Sequence, residues 1–446
     1  MYSPRQLTLV FLISVGLIWA LYEFQKALLS VQDLHEAKSK LTGLFSNPRL
    51  HSDHSEEVVT SNDLTILCDQ TQWTQGLWLQ CTQDGQINAT AIAGGLNNAG
   101  NRLQTCIRLA IDAGAGLIFP HIKLHRNTEN QRIFTEDAEC LDNYWDMGYL
   151  SKELGRQCPQ LQLRHCGDIS GIETIIPTPQ RDHLEEPYYT NSFGEMITSQ
   201  LRSSDVESID PQQPVAVSFG DAYVAWNYSK SNELSTIQKS LFRLLKFNPI
   251  LVEFSNILSQ SPELKDGYIA VHLRGEDDWP AKWGSPKQQS SLYLSEMRAL
   301  QHTLPTPLKT VYVSCGSQDA ISAFASQLTS LGYTVYNKDT LLSRSPGLLN
   351  KLHHMHFDQK AIVETEVLVA ADYWYGVFAS TFSDMVAYKR TINDEGNIFK
   401  DHIIPGSNKT EIGGREWDVA PALLGVERTK LLVTNTGPLD ITDRFP

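Results

Sequence analysis

Short apolar runs alternate with amphipathic stretches along most of the chain, and this alternation predicts an α/β protein. From about residue 64, a β-like run at Thr90–Gly94 precedes apolar residues at helical spacing over Asn101–Gly114. A buried strand is predicted next, over Gly116–Ile122. This order is a βαβ unit. Its glycine turn, Gly94-Gly95, follows the first strand, where open α/β sheets bind ligands.

A second alternation of strands and helices begins after a polar turn near Pro262–Gly267. Its predicted strands are Gly267–Arg274, Thr310–Cys315, Tyr333–Asn337 and Tyr373–Phe378, and its predicted helices are Ser291–Thr303, Asp319–Leu331 and Lys360–Ala371. Strands that alternate with helices of about 10 to 15 residues predict a parallel sheet. Between the two alternations, residues 123–213 are expected to be irregular, Pro214–Gly220 a strand, and Ser235–Gln260 mostly helical.

The length of the chain predicts two domains. At 446 residues it is about twice the usual size of a single core. We expect an N-terminal Rossmann-like domain over 64–262, which also carries acceptor-side loops, and a C-terminal Rossmann-like domain over 263–446. Two such domains facing each other leave a cleft, the usual place for a large ligand.

The N-terminus carries a membrane-length signal. Leu7–Tyr22 is uncharged, follows Arg5 and precedes Glu23, and no A-x-A cleavage pattern follows it, which favours an anchor over a cleaved signal peptide. The chain is thus divided into a cytosolic tail (1–6), a transmembrane anchor (7–24) and a polar stem (25–63). This predicts a single-pass type II membrane protein of the endoplasmic reticulum or Golgi, with its bulk in the lumen.

Seven cysteines follow the predicted anchor, and none has the C-x-x-C spacing of a zinc or redox motif. Disulfides are therefore expected, with Cys68–Cys81 favoured and Cys158–Cys166 as the other local pairing. Three glycosylation sequons, at Asn88, Asn227 and Asn408, agree with a lumenal placement.

The formal charge of -14 argues against a nucleic-acid partner, because phosphate backbones are held by surplus Lys and Arg. Any phosphate-binding site must therefore be local. Three junctions between a strand and the following segment are candidates.

The first candidate is the glycine turn, with Gly94, Gly95, Asn97, Asn98 and Arg102. Glycine permits close backbone approach, and asparagine amides both donate and accept hydrogen bonds to sugar hydroxyls. The alternative is a tight turn with an asparagine helix cap.

The second candidate is the strand that ends at His272 and Arg274. Arginine binds phosphate oxygens in bidentate fashion, and a charge at the end of a buried strand is costly without a strong partner. The alternative is that Glu276, Asp277 or Asp278 simply neutralises Arg274.

The third candidate is Phe378–Asp384, where Ser380 and Thr381 begin a predicted helix. Free backbone N–H groups and two hydroxyls at a helix start suit a phosphate. Ordinary N-capping is the alternative.

Together, these stretches resemble the donor motifs of the GDP-fucose-dependent protein O-fucosyltransferases and, more distantly, the α-1,6-fucosyltransferases. The resemblance rests on GGLNN with NR, on HLR followed by Asp278-Trp279, and on AADYWYGVFASTFSD. It implies a two-domain GT-B-like fold, inverting transfer of fucose from GDP-fucose, and no cofactor or active-site metal.

Residue roles follow from the same resemblance. Arg274 is implied to hold the β-phosphate and glycosidic oxygen, with His272 near the nucleotide. Asp372 would contact guanine or ribose. Asn97 and Asn98 would orient the sugar, and the phosphate-and-base loop would consist of Ser380, Thr381 and Phe382.

The general base is left unassigned, because the glycine motif lacks the glutamate that some members of the family carry. Asp278 or Glu276 could serve, but an acid paired to Arg274 would be a weak base. The rival hypothesis is a lumenal carbohydrate-binding or scaffold protein that kept the fold and lost transfer. Use of another nucleotide sugar also stays open, and the acceptor could be a protein, a glycan or a small molecule.

Overall fold

The computed structural model describes residues 63–82, 91–93, 95–123, 138–178, 190–206, 208–220, 234–277, 279–280, 283–378, 380–392, 422–426 and 428–433. The predicted anchor (7–24), the stem up to residue 62 and the sequon residues Asn88, Asn227 and Asn408 lie outside this set. Within the set, no helix combines the length and the apolar character needed to cross a bilayer. All described residues belong to one compact unit, Ser61–Pro446.

The first sheet has five strands, all parallel, in the order β5-β3-β1-β7-β6. Its strands are β1 (Leu77–Thr82), β3 (Gly116–Ile118), β5 (Leu163–Arg164), β6 (Thr174–Pro177) and β7 (Val215–Gly220). Every residue of β1 and of β7 is buried, as expected for the centre of a parallel sheet that is covered on both faces.

The predicted strand over Gly116–Ile122 is divided in two. Its first part is β3, which pairs with β1 in the main sheet. Its second part is β4 (His121–Lys123), which pairs with β2 (Ala91–Ala93) in a separate two-stranded parallel sheet. The glycine turn therefore follows a strand of the small sheet. The central strand, β1, was not predicted, because the buried Gln80 interrupts its apolar pattern.

Six helices accompany this sheet in the described part of the chain. They are α1 (Asp63–Gln70), α2 (Leu96–Asp112), α3 (Met147–Gln157), α4 (Thr190–Ser203), α5 (Leu234–Leu244) and α6 (Pro249–Ser259). The segment expected to be irregular thus contains α3 and α4. The predicted Ser235–Gln260 helix breaks at Asn248, whose side chain accepts from the Ile250 N–H at 2.9 Å and caps α6.

The second sheet has six strands in the order β10-β9-β8-β11-β13-β12. They are β8 (Ile269–His272), β9 (Thr310–Ser314), β10 (Thr334–Tyr336), β11 (Tyr373–Val377), β12 (Ala422–Val426) and β13 (Thr429–Val433). The parallel arrangement is confirmed for the four predicted strands, β8 to β11. Two strands that were not predicted complete the sheet: β13 pairs parallel with β11, and β12 pairs antiparallel with β13 at one edge.

Six more helices belong to this half among the described residues. They are α7 (Pro286–Gln301), α8 (Gln318–Ser330), α9 (Lys338–Leu342), α10 (Pro346–His354), α11 (Phe357–Ala370) and α12 (Thr381–Thr391). The two halves meet in helix contacts: α6 packs along α11, and α2 packs against α12.

Three disulfides fix the first half: Cys68–Cys158, Cys81–Cys106 and Cys140–Cys166. The predicted pairings, Cys68 with Cys81 and Cys158 with Cys166, are therefore wrong, although all four residues do form disulfides. Cys68 lies on α1, which packs on α3, whereas Cys81 lies on β1 beneath α2. Packing between elements, and not distance along the chain, decides the partners. Cys315 is a buried free thiol.

Candidate active site

The candidate site lies at the carboxyl edge of the second sheet. Strands β9, β8 and β11 are parallel neighbours, so their carboxyl ends meet at one edge. The chain leaves these strands at Ser314, His272 and Val377. Arg274, Gly316 and Ser380 follow within three residues of the strand ends.

Arg274 is held on both its backbone and its side chain. Its N–H donates to Gln289 Oε1 at 2.9 Å, and its carbonyl accepts from Gln289 Nε2 at 2.9 Å. Its guanidinium donates to Glu276 Oε2 at 2.7 Å and lies 5.0 Å from the Trp279 ring centroid. The side chains of Arg274 and Glu276 are 17% and 3% exposed, so this ion pair is largely withdrawn from water. The charge is fixed in place but still reaches the surface.

Glu276 is the counter-ion of Arg274. Besides the arginine, its carboxylate accepts from the Gly316 N–H at 2.6 Å and from the Gly275 N–H at 3.1 Å. Both carboxylate oxygens are thus already engaged by donors of the chain itself, so Glu276 is not placed to take a proton from an acceptor hydroxyl. Asp278, the other acid considered for that role, lies outside the described residues.

His272 joins the arginine strand to the first turn of α12. Its Nδ1 lies 2.6 Å from Ser383 Oγ, which accepts from the Val377 N–H at 3.0 Å, and its ring meets the Phe382 ring edge-on at 4.9 Å. Burial, followed by the charges of Arg274 and Lys338, lowers the pKa of His272 to about 3. His272 is therefore neutral at physiological pH, and its Nδ1 shares one hydrogen bond with the Ser383 hydroxyl.

The start of α12 can accept an anion. Ser380 is the N-cap residue, but its side chain makes no capping hydrogen bond. The interpretation as ordinary capping is therefore not supported for Ser380. In the first turn of a helix, the backbone N–H groups have no acceptor within the helix and point outward from its N-terminus, where an anion can accept from them. Thr381 and Phe382 follow in the first turn and are half-buried.

Asp384 in the same turn is fully buried, and neither carboxylate oxygen has a hydrogen-bond partner among the described residues. Burial raises the pKa of Asp384 well above its usual value. Burial thus disfavours the ionised form of Asp384, which reduces its repulsion of an anion at the α12 start.

The glycine motif lies at the start of α2, and α2 contacts α12. Gly95 is the N-cap of α2, and the Leu96 N–H donates to Asp358 Oδ1 at 3.1 Å. A carboxylate of the chain itself thus already occupies this helix start, which makes it unsuitable for phosphate. Asn97 is buried, and Asn98 and Arg102 are half-buried. Gly94 lies outside the described residues.

Asp372 does not share this edge. It immediately precedes β11, and its Oδ2 accepts from the Tyr268 N–H at 3.0 Å, just before β8. This contact lies at the amino ends of β8 and β11, opposite Arg274. The implied role of Asp372 in binding guanine or ribose is therefore incompatible with its position, because a five-residue strand separates it from the site by roughly 16 Å.

Sequence reasoning missed the buried polar residues that support the site. Gln289 and Ser383 act through the contacts above, and their polarity within otherwise apolar helix faces was the available signal. A second cation, Lys338, begins α9 after β10 and donates to Glu364 Oε2 at 2.9 Å. Tyr312 Oη donates to Glu364 Oε1 at 2.8 Å. This network stabilises the same carboxyl edge.

One group of possible metal ligands occurs in the described part of the chain, namely Cys140, His165 and Cys166. Two of its three members are joined in a disulfide, which leaves no thiolates for a metal. The prediction that the active site uses no metal remains a prediction.

No family model matches the sequence, and no curated protein matches it. Among solved structures, the chain is similar to POFUT1 in complex with GDP-fucose, at 12% identity over 72% of this chain and 95% of that one, with a TM-score of 0.43. It is also similar to the fucosyltransferase NodZ from Bradyrhizobium, at 12% identity over 72% and 93% of the two chains, with a TM-score of 0.37. With TM-scores below 0.5, these likenesses carry no weight in assigning an activity.

Proposed function

We propose that this chain is a glycosyltransferase that transfers fucose from GDP-fucose to a hydroxyl acceptor with inversion. The observation that carries the proposal is the junction at His272: its contacts with Ser383 and Phe382 bring the Arg274 strand and the α12 start together. A guanidinium and a helix N-terminus are two independent means of binding a diphosphate, and here they share one sheet edge. The GDP-fucose assignment rests on the resemblance of the motifs, and the geometry supports the diphosphate part of it.

In this proposal, Arg274 stabilises the leaving group. As the bond between fucose and the β-phosphate breaks, negative charge grows on the phosphate, and a fixed cation offsets it without reorganising. Glu276 and Trp279 hold the guanidinium before the substrate arrives. Asn97 and Asn98 are the candidates for orienting the sugar. The acceptor is a hydroxyl of a protein, glycan or small molecule.

The decisive test is donor binding and turnover by the protein. We expect GDP and GDP-fucose to raise its melting temperature, and UDP-glucose not to, with slow hydrolysis of GDP-fucose in the absence of an acceptor. GDP-mannose is the matched control for the sugar, because it shares the nucleotide. Stabilisation by GDP and GDP-mannose without hydrolysis of GDP-fucose would favour another donor. Stabilisation by none of the nucleotides would favour the non-catalytic carbohydrate-binding or scaffold hypothesis.

We further propose a type II membrane protein whose catalytic part lies in the lumen of the endoplasmic reticulum or Golgi. Three disulfides support an oxidising compartment. Protease protection in microsomes, combined with an endoglycosidase shift at Asn88, Asn227 and Asn408, tests this placement. An unglycosylated, protease-sensitive C-terminal part would exclude it.

A further inference from the structure

The start of α2 is capped by a residue that is distant in sequence. Asp358 Oδ1 accepts from the Leu96 N–H at 3.1 Å across a separation of 262 residues, and Asp358 is only 3% exposed. Gly95, the N-cap, has no side chain that could do this. A carboxylate near a helix N-terminus satisfies an unpaired N–H and interacts favourably with the helix dipole. The first turn of α11, which carries Asp358, therefore fixes where the glycine motif begins.

The same turn also touches the loop after β9, which hydrogen-bonds Glu276, the partner of Arg274. Phe357, next to Asp358, packs against Gly316. A Cβ atom added to Gly316 would lie 2.7 Å from Phe357 Cε2 and 2.7 Å from Glu276 Oε1. No side chain fits at this position unless Phe357 or Glu276 moves. The contact from the ring through Gly316 to the carboxylate is therefore close-packed, and such contacts transmit displacement.

Glu276 completes the connection to Arg274. Its Oε1 accepts from the Gly316 N–H at 2.6 Å, and its Oε2 accepts from Arg274 at 2.7 Å. A continuous set of contacts thus runs from Leu96 through Asp358, Phe357 and Gly316 to Glu276 and the guanidinium.

Two further contacts tie this turn to the first half of the chain. His356 Nδ1 lies 3.3 Å from Tyr144 Oη, and Gln359 Nε2 donates to the Asn143 carbonyl at 3.4 Å. With the Leu96 contact, the turn His356–Gln359 is fixed to the first half at three points. The turn therefore contacts the first half on one side and the loop after β9 on the other.

We propose that the turn His356–Gln359 sets the position of Arg274 relative to the glycine motif, with Asp358 as the positioning residue. The catalytic part of this inference rests on the proposed function. The glycine motif and Arg274 belong to different halves of the chain, so their separation must be fixed by something that contacts both. The turn does so through Asp358 on one side and Phe357 on the other.

The test compares Asp358→Ala, Asp358→Asn and a matched control, Asp319→Ala. Asp319 occupies the same position in the first turn of α8 as Asp358 does in α11, but it is exposed. Hydrogen–deuterium exchange is measured at the amides of residues 96–100 and at those of Gly275 and Gly316. The last two N–H groups donate to Glu276. We expect Asp358→Ala to speed exchange at both places by about fivefold or more, and Asp358→Asn, which keeps an acceptor oxygen, to restore most of the protection. Asp319→Ala should change neither.

Gly316→Ala supplies the reverse perturbation and guards against misfolding of the first variant. Its methyl group must displace Phe357 or Glu276, so exchange should also speed up at residues 96–100. If Asp358→Ala affects only residues 96–100, or Gly316→Ala affects only its own loop, Asp358 is merely a helix cap and the inference is wrong.

The catalytic consequence is measured separately. For folded Asp358→Ala, the maximal rate of GDP-fucose hydrolysis should fall about fivefold or more while the Kd for GDP changes less than about threefold, because Arg274 and the α12 start remain. A purely structural role would lower the melting temperature and leave this rate unchanged. If the wild-type protein does not bind GDP, the proposed function fails. The exchange measurements still decide whether the start of α2 is coupled to Gly275 and Gly316.

Discussion

Replacing Arg274 by alanine is the most informative perturbation of the candidate site. The change removes the only cation that Glu276 contacts among the described residues, and it removes the proposed contact with the diphosphate. Glu276 would keep its two backbone donors, Gly275 and Gly316. We therefore expect a folded protein, with a free energy of unfolding lower by about 1–3 kcal/mol because a buried carboxylate loses its counter-ion.

The effect on binding follows from the kind of contact that is lost. A charge-assisted hydrogen bond contributes about 1.5–3 kcal/mol, so GDP affinity should fall about 10- to 150-fold. Hydrolysis of GDP-fucose should fall further, because phosphate charge grows in the transition state. Arg274→Lys should rescue little, since an ammonium keeps the charge but loses the planar fork. Ser380→Ala should be milder, because the backbone N–H groups of α12 remain.

The assay is calorimetric titration of GDP together with GDP-fucose hydrolysis, and circular dichroism serves as the folding control. Glu276→Gln is a useful companion, because it leaves the arginine charge unneutralised and should not weaken GDP binding. Unchanged GDP affinity in folded Arg274→Ala would refute the diphosphate assignment. Lost hydrolysis with nearly unchanged affinity would assign Arg274 to the chemical step alone.

Three further predictions concern pH-dependent stability and disulfide connectivity. The folded pKa of His272 is about 3, below its usual 6.5. The stabilisation that neutral His272 gives is therefore complete above pH 6.5 and is lost as the pH falls toward 3, by up to about 1.4 kcal/mol per pH unit. Urea unfolding of wild type and His272→Gln across this pH window measures the loss. Asp384 has a raised pKa, so its contribution is complete at low pH and is lost as the pH rises above about 4. Asp384→Asn should therefore raise the melting temperature at pH 7.5 and have no such effect near pH 3.5, and an equal effect at both would contradict a raised pKa of Asp384. Non-reducing peptide mapping should recover Cys68 linked to Cys158, and a peptide joining Cys68 to Cys81 would contradict the packing of α1 on α3.

The sequence alone predicted the parts of the fold that depend on local pattern. The strands β8, β9 and β11 and the start of α12 at Ser380 are where apolar runs and turn residues placed them, because burial on both faces of a parallel strand demands an unbroken apolar run. The proximity of Arg274 to the Ser380 region followed from these positions, since parallel strands end at the same edge.

Contacts between distant segments were decided by the tertiary structure. Local sequence favoured Cys68–Cys81, but packing of α1 on α3 joins Cys68 to Cys158. Asp372 was placed with the nucleotide by resemblance, yet it lies at the amino ends of the strands, because residues adjacent in sequence can lie at opposite edges of a sheet. The contact of Asp358 with Leu96 spans 262 residues, and no local pattern specifies such a pairing, because it depends on how the two halves pack against each other.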